Sequence, residues 1–93
     1  MNTHIQSVHF DADQKLLQFV EERVKKLTRF HSGIIRSDVI LKLEKSADTA
    51  NKVAEIKLHT NQGDLFAKKQ EKSFEAAVDG ALEAIKRQID KKK

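Results

Sequence analysis

The sequence lacks cysteine, proline, tryptophan and tyrosine, and it has only three glycines in 93 residues. Without cysteine, neither disulfides nor thiol chemistry is possible; this is typical of a reducing compartment, and we expect a cytoplasmic protein. No apolar run approaches the roughly 20 residues that a membrane span requires, so we expect no membrane contact. Because linker-like segments are also missing, the chain is predicted to form one domain, residues 1–93.

Motifs for catalysis and metal binding are missing as well. The sequence has no glycine-rich phosphate loop, no serine or cysteine nucleophile motif, and no pair of histidines spaced for zinc on a helix. His4 and His9 are five residues apart on a predicted strand, so their side chains should face opposite ways. We therefore predict that the protein is not an enzyme and needs no metal, cofactor or small-molecule substrate.

Positive charge is in modest excess, with a net charge of +4 at pH 7. This excess favours an anionic partner such as RNA. Few aromatic side chains are available to stack on bases, since the sequence has five phenylalanines and no tryptophan or tyrosine. If RNA is the partner, we expect recognition through its backbone and shape.

Hydrophobic spacing predicts both the elements and their order. Apolar residues at three- and four-residue spacing predict helices over 13–30 and 73–93, and alternation predicts strands over 3–10, 38–45, 52–60 and 64–70. The order is β-α-β-β-β-α. The first crossover should make the first two strands parallel, and two hairpins should make the rest antiparallel. We predict an α+β fold with two layers, in which both helices cover one face of a four-stranded mixed sheet.

Charged residues are unevenly distributed over the predicted helices. On the second helix, Arg87 and Lys91 follow small residues on one flank, whereas acidic residues occupy the other flank. On the first helix, Arg23 and Lys26 share a flank with phenylalanines. Those phenylalanines could pack against the second helix, and the charged ends could also line a phosphate-binding surface; the two interpretations are compatible.

Several segments resemble the ribosome hibernation-promoting factors, which belong with the ribosome-associated inhibitor proteins. The similar segments are LQFV at 17–20, VILKLEK at 39–45, FEAAVDG at 74–80 and KRQ at 86–88. They keep one register over essentially the whole chain, and the family's fold has the same β-α-β-β-β-α order. The chain resembles the short form, which lacks the C-terminal dimerisation domain of long members.

The resemblance implies a specific function. Such proteins bind the small ribosomal subunit at the decoding region, in the channel used by messenger RNA and transfer RNA, and silence translation under stress or in stationary phase. Their contacts to ribosomal RNA come mainly from basic residues on the two helices. Where some members carry a lysine, this chain has Ala84. Carried over by position, the expected RNA-binding residues are Arg23, Lys25, Lys26, Arg29, Lys86, Arg87, Lys91 and Lys93.

Two other functions remain open from the sequence. A general double-stranded-RNA-binding module would bind free duplex RNA as well as it binds ribosomes. A protein-interaction module would use the uncovered sheet face around Ile40 and Phe66 and would depend little on salt. Ribosome binding should weaken steeply with salt and should require the basic residues of the helices, whereas binding by a protein-interaction module should not.

Overall fold

The computed structural model describes residues 2–29, 31–45 and 49–91. The elements are β1 (Asn2–Val8), α1 (Gln14–Arg29), β2 (Ile34–Leu43), β3 (Lys52–Thr60), β4 (Gly63–Glu71) and α2 (Phe74–Lys91). The predicted order and the α+β class are confirmed. Of the predicted residues, Phe30, Lys92 and Lys93 lie outside the described part of the chain.

The four strands form one sheet in the order β1-β2-β3-β4. β1 pairs with β2 in parallel, while the pairs β2–β3 and β3–β4 are antiparallel, as predicted. The register aligns Val39 with Ile56 and Ile56 with Ala67 across the sheet. This row lies on the face that the helices cover, so the alternating strand pattern sends its apolar half into the core.

The core lies between this sheet face and the two helices. Ile56 from the sheet, Val20 from α1 and Ile85 from α2 are fully buried. Both helices contribute residues at three- and four-residue spacing, as the sequence predicts. The buried cluster comprises Val20, Val24, Val39, Leu41, Ala54, Ile56, Leu58, Leu65, Ala67, Ala77, Val78, Ala81, Leu82 and Ile85.

Three strand boundaries differ from the prediction by more than one residue. β2 begins at Ile34, four residues earlier than expected, ends at Leu43 rather than at Lys45, and includes the fully buried Ser37. The Ser37 Oγ donates a hydrogen bond to the Thr3 Oγ1 at 3.1 Å, which removes the cost of burying this hydroxyl. β1 ends at Val8 rather than at Phe10, because His9 turns into the left-handed region at φ 67°.

Side-chain caps fix the start of each helix. The Asp13 Oδ1 accepts a hydrogen bond from the Leu16 amide at 2.8 Å, so α1 is capped at Asp13. The Ser73 Oγ accepts from the Ala76 amide at 3.1 Å and caps α2. These caps fix where each helix leaves the sheet.

The two helices run parallel to each other. α1 connects the parallel strands β1 and β2, so it must run antiparallel to both. α2 runs antiparallel to β4: the later helix residue Gln88 donates to the Phe66 carbonyl at 2.8 Å, whereas the earlier Gly80 lies against Lys69. Since β4 has the direction of β1 and β2, both helices have their C-terminal ends at the same end of the molecule.

The uncovered sheet face carries an ion-pair network across β2, β3 and β4. His59 Nε2 lies 2.8 Å from Asp38 Oδ2, and His59 Nδ1 lies 3.1 Å from Asp64 Oδ1. Arg36 contacts Asp38 at 3.2 Å, and Lys57 contacts Asp64 at 3.7 Å. The two cations and two carboxylates balance, so the face presents little net charge at this point.

The network lowers the pKa of one carboxyl group, that of Asp38. The hydrogen bond from His59, with the positive charge of Arg36, holds the pKa of Asp38 below its ordinary 3.8, against a smaller opposing effect of desolvation. Because the folded-state pKa is the lower one, the ionised carboxylate stabilises the fold above about pH 4. That contribution is lost as the pH falls through the folded-state pKa.

Replacing Ile56 by alanine should lower the free energy of unfolding by about 2–5 kcal/mol, because Ile56 is fully buried in the core between the sheet and the helices. Urea denaturation followed by circular dichroism measures this loss. Ile35→Ala is the matched control, since Ile35 is 62% exposed and should cost less than about 1 kcal/mol. Equal losses in the two variants would contradict this description of the core.

Asp38→Asn should lower stability at pH 7 by less than about 1 kcal/mol, since the side chain is about a third exposed. The difference from the parent protein should shrink as the pH falls through the lowered folded-state pKa of Asp38, because the carboxyl group of the parent then becomes neutral, as the amide of the variant already is. Denaturant unfolding over a series of pH values from 7 into the acid range measures this, with Asp90→Asn as a control on an exposed helix position. A difference that is independent of pH would rule out the ionic contribution.

Candidate nucleic-acid interface

Six of the predicted RNA-binding residues gather at one end of the molecule, because the helices are parallel and carry these cations in their C-terminal halves. All six side chains are exposed. We call this group the basic end; its members are Lys25, Lys26, Arg29, Lys86, Arg87 and Lys91. The sequence predicts cations at each helix terminus, and the topology brings the two termini together.

On α1 the cations of the basic end lie on two flanks. Arg23 contacts Asp79 of α2 with 3.5 Å between Nε and Oδ1, so this flank of α1 faces α2. Lys26 lies on the same flank, nearly one turn further along. Lys25 and Arg29 lie on the other flank, where they line a cleft with Thr3 of β1.

On α2 the cations also divide between two flanks. Lys86 shares the flank of Asp79 and therefore lies on the side of α1. Arg87 and Lys91 share the flank of Gly80, which lies against β4: a Cβ built on Gly80 would stand 3.2 Å from the Lys69 Cγ. The basic end thus continues from the β1 side of α1, across the groove between the helices, to the β4 side of α2.

The flank of α2 that carries Gly80 and Ala84 packs against other parts of the same molecule. The aliphatic chain of Lys69 lies against Gly80, and Ala84 packs against the core. This flank therefore fits β4 and gives no separate indication of an external partner.

The contact between Arg23 and Asp79 fixes the relative height of the helices. Arg29 is six residues beyond Arg23, which is about 9 Å along α1, and Lys91 is twelve residues beyond Asp79, which is about 18 Å along α2. The basic part of α2 therefore projects about 9 Å further than that of α1. The cations follow a sloping surface rather than a flat one.

Arg23 differs from the other predicted residues. Its guanidinium lies 4.8 Å from the centre of the Phe19 ring and pairs with Asp79, and its side chain is 45% exposed. The sequence indicated a solvated acidic flank for Asp79 and did not reveal this pairing, which requires two helices to meet. Arg23 joins the helices, and its contact with RNA stays a prediction.

Ion pairing separates the basic end from the open sheet face. Among the described residues, no member of the basic end has a carboxylate within 4.0 Å, whereas three of the open-face cations, Arg36, Lys42 and Lys57, each have one and Lys68 has none. A cation without a partner loses no existing ion pair when it meets a phosphate. The electrostatics therefore favour the helix ends over the sheet as the surface for an anionic partner.

Metal-ligand clusters and membrane-spanning helices are absent from residues 2–29, 31–45 and 49–91. No group of three or more metal-ligating side chains comes together there. Neither α1 nor α2 is long and apolar enough to cross a membrane. The strongest chemical feature of the described structure is its positive charge.

The chain is similar to curated proteins over its whole length. The chain is 29% identical to the "Ribosome hibernation promoting factor" of Escherichia coli strain K12, over all of this chain and 94% of the relative. It is 28% identical, with the same coverage, to the protein of that name from Klebsiella oxytoca.

Solved structures share the fold. The N-terminal domain of Thermus thermophilus Protein Y superposes with a TM-score of 0.82 at 20% identity, covering all of both chains. A ribosomal subunit interface protein from Coxiella burnetii superposes with a TM-score of 0.80 at 17% identity, over 98% of this chain and 96% of the other.

The family model described as "Sigma 54 modulation protein / S30EA ribosomal protein" matches residues 3–93. This match spans both helices and all four strands, and the curated relatives agree with the family that the sequence resembles. The chain therefore belongs to the sigma 54 modulation protein / S30EA ribosomal protein family.

Proposed function

We propose that this protein is a ribosome hibernation factor that acts in the cytoplasm under stress or in stationary phase. In this proposal it binds the small ribosomal subunit at the decoding region, in the channel for messenger RNA and transfer RNA, and so inhibits translation. The observation that carries the proposal is the basic end, where six cations that have no carboxylate partner among the described residues lie at one end of the fold.

Phosphate groups of ribosomal RNA are the natural partners of such a surface. A folded domain that contacts several phosphates releases their counterions, so its affinity for RNA falls steeply as the salt concentration rises. The cations span about 6 Å of helix length on α1, from Lys25 to Arg29, and project further on α2. They could therefore contact several successive phosphates of an RNA backbone rather than a single phosphate.

Inhibition in this proposal needs no chemical reaction. The described part of the molecule is a thin body, with extents of 40, 25 and 17 Å. A rigid body of this shape excludes other ligands from any RNA channel that it fills. Arg23 and Asp79 contribute by holding the two basic helix ends at a fixed offset, so that both can contact RNA at once.

A protein-interaction function has one observation in its favour. Ile35 and Phe66 are 62% and 49% exposed, and Phe66 lies on the uncovered sheet face. Scattered exposed apolar residues are ordinary on protein surfaces, however, and here they neighbour a balanced ion-pair network. The unpaired cations of the basic end favour the RNA-binding function.

The variant Arg87→Glu with Lys91→Glu should abolish co-sedimentation with small ribosomal subunits at physiological salt, because two attractive phosphate contacts become repulsive. The milder Arg87→Gln with Lys91→Gln should retain some binding and reduce the slope of log K against log salt by about two. Circular dichroism should show an unchanged fold, since both residues are exposed.

Lys45→Glu with Lys68→Glu is the matched control, because it makes the same change in net charge at exposed sites away from the basic end. It should weaken binding only slightly. If the folded variant Arg87→Glu with Lys91→Glu binds small ribosomal subunits as well as the parent protein does, the proposed function is wrong. An equal loss in the control would mean that net charge alone, rather than the basic end, determines binding.

A further inference from the structure

A cleft of about 540 Å³ lies between α1 and the edge strand β1, on the side of α1 that faces away from α2. It is lined by Thr3, Glu21, Lys25, Thr28 and Arg29. Its volume falls within the roughly 300–1,000 Å³ typical of small-ligand pockets. Lys25 and Arg29 belong to the basic end, whereas the other three residues were not singled out by the sequence.

The lining residues share one helix flank and one strand. Glu21, Lys25 and Arg29 are spaced four residues apart, so they stand one above the other on α1. Thr3 lies opposite on β1, and Thr28 borders the same flank. The arrangement places one carboxylate, two cations and two hydroxyl groups around a single space.

The hydroxyl groups keep hydrogen-bonding capacity for a ligand. The Thr28 Oγ1 donates to the Lys25 carbonyl at 2.9 Å, so its lone pairs still accept. The Thr3 Oγ1 accepts from the Ser37 Oγ at 3.1 Å, so its own hydrogen is left to donate. Ser37 is fully buried, and its hydrogen bond holds the Thr3 hydroxyl in place at the cleft.

The charges around the cleft suit a ligand that carries both a negatively charged group and hydrogen-bond donors. Among the described residues, Glu21, Lys25 and Arg29 make no ion pair within 4.0 Å. A bare phosphate would be attracted by the two cations but repelled by Glu21. A ligand that combines a phosphate with neighbouring hydroxyl donors satisfies all three side chains, because a carboxylate accepts strong hydrogen bonds from hydroxyl groups.

We propose that this cleft binds one ribonucleotide unit, with its phosphate against Lys25 and Arg29 and a ribose hydroxyl donating to Glu21. The site depends on the RNA-binding function proposed above and adds specificity to it. The 2′-hydroxyl distinguishes RNA from DNA, so Glu21 is the residue that selects RNA. The rest of the basic end contacts phosphates, which both nucleic acids carry.

Glu21→Gln tests the proposal because the two possible roles of Glu21 predict opposite signs. If Glu21 accepts from the ribose, its neutralisation weakens binding of adenosine 5′-monophosphate several-fold and leaves binding of 2′-deoxyadenosine 5′-monophosphate equal or tighter. If Glu21 is merely an acidic neighbour of a phosphate surface, its neutralisation tightens the binding of both nucleotides. Two-dimensional ¹H–¹⁵N NMR titration at millimolar nucleotide measures both affinities and shows that the variant is folded.

The parent protein should bind the ribonucleotide about tenfold more tightly than the deoxyribonucleotide, as expected for a hydrogen bond to a charged group. The amides of Thr3, Lys25 and Thr28 should shift during the titration. Glu22→Gln is the matched control, with the same charge change on the next residue, which lies on a different helix face. It should leave the preference for the ribonucleotide unchanged.

Binding to small ribosomal subunits identifies the source of the nucleotide. If Glu21→Gln weakens both subunit binding and mononucleotide binding, the site takes a nucleotide of ribosomal RNA. If only mononucleotide binding changes, the site takes a free nucleotide. The ribonucleotide site is overturned if the parent protein shows no ribose preference, or if Glu21→Gln behaves as Glu22→Gln does. Loss of subunit binding by the parent protein would instead overturn the proposed function.

Discussion

Burial of one apolar sheet face under two parallel helices is the constraint on which the rest of this structure depends. Ile56 of β3, Val20 of α1 and Ile85 of α2 are fully buried members of one hydrophobic core. Because β1, β2 and β4 share one direction, helices that return over this face must both run the opposite way. The hydrophobic core therefore brings two helix C-termini, and the cations that suit them, to one end.

Ion pairing then determines which charges are available to a partner. On the open sheet face, Arg36 and Lys57 lie in a network with Asp38, His59 and Asp64, whereas Lys68 makes no ion pair among the described residues. At the helix ends the described cations have no such partners. Family membership is a separate observation, which rests on the match of the family model to residues 3–93.

The sequence predicts most of the fold but less of the site. β3 was predicted at its observed bounds, because alternation is clear from Lys52 to Thr60. The start of β2 was missed because Ser37 is polar, and its burial makes sense only with Thr3 beside it. Likewise, Arg23 meets Asp79 across two helices, and the cleft joins Glu21 to β1. Periodicity within one segment cannot reveal contacts between segments distant in sequence.

Co-sedimentation with purified bacterial ribosomes, at low and high salt and with a duplex-RNA competitor, tests the central claim most directly. Ribosome binding through the basic end predicts association with the small subunit that is lost at high salt but persists in excess duplex RNA. If duplex RNA competes fully, the protein is a general double-stranded-RNA binder. If the protein fails to bind ribosomes even at low salt, the central claim is wrong.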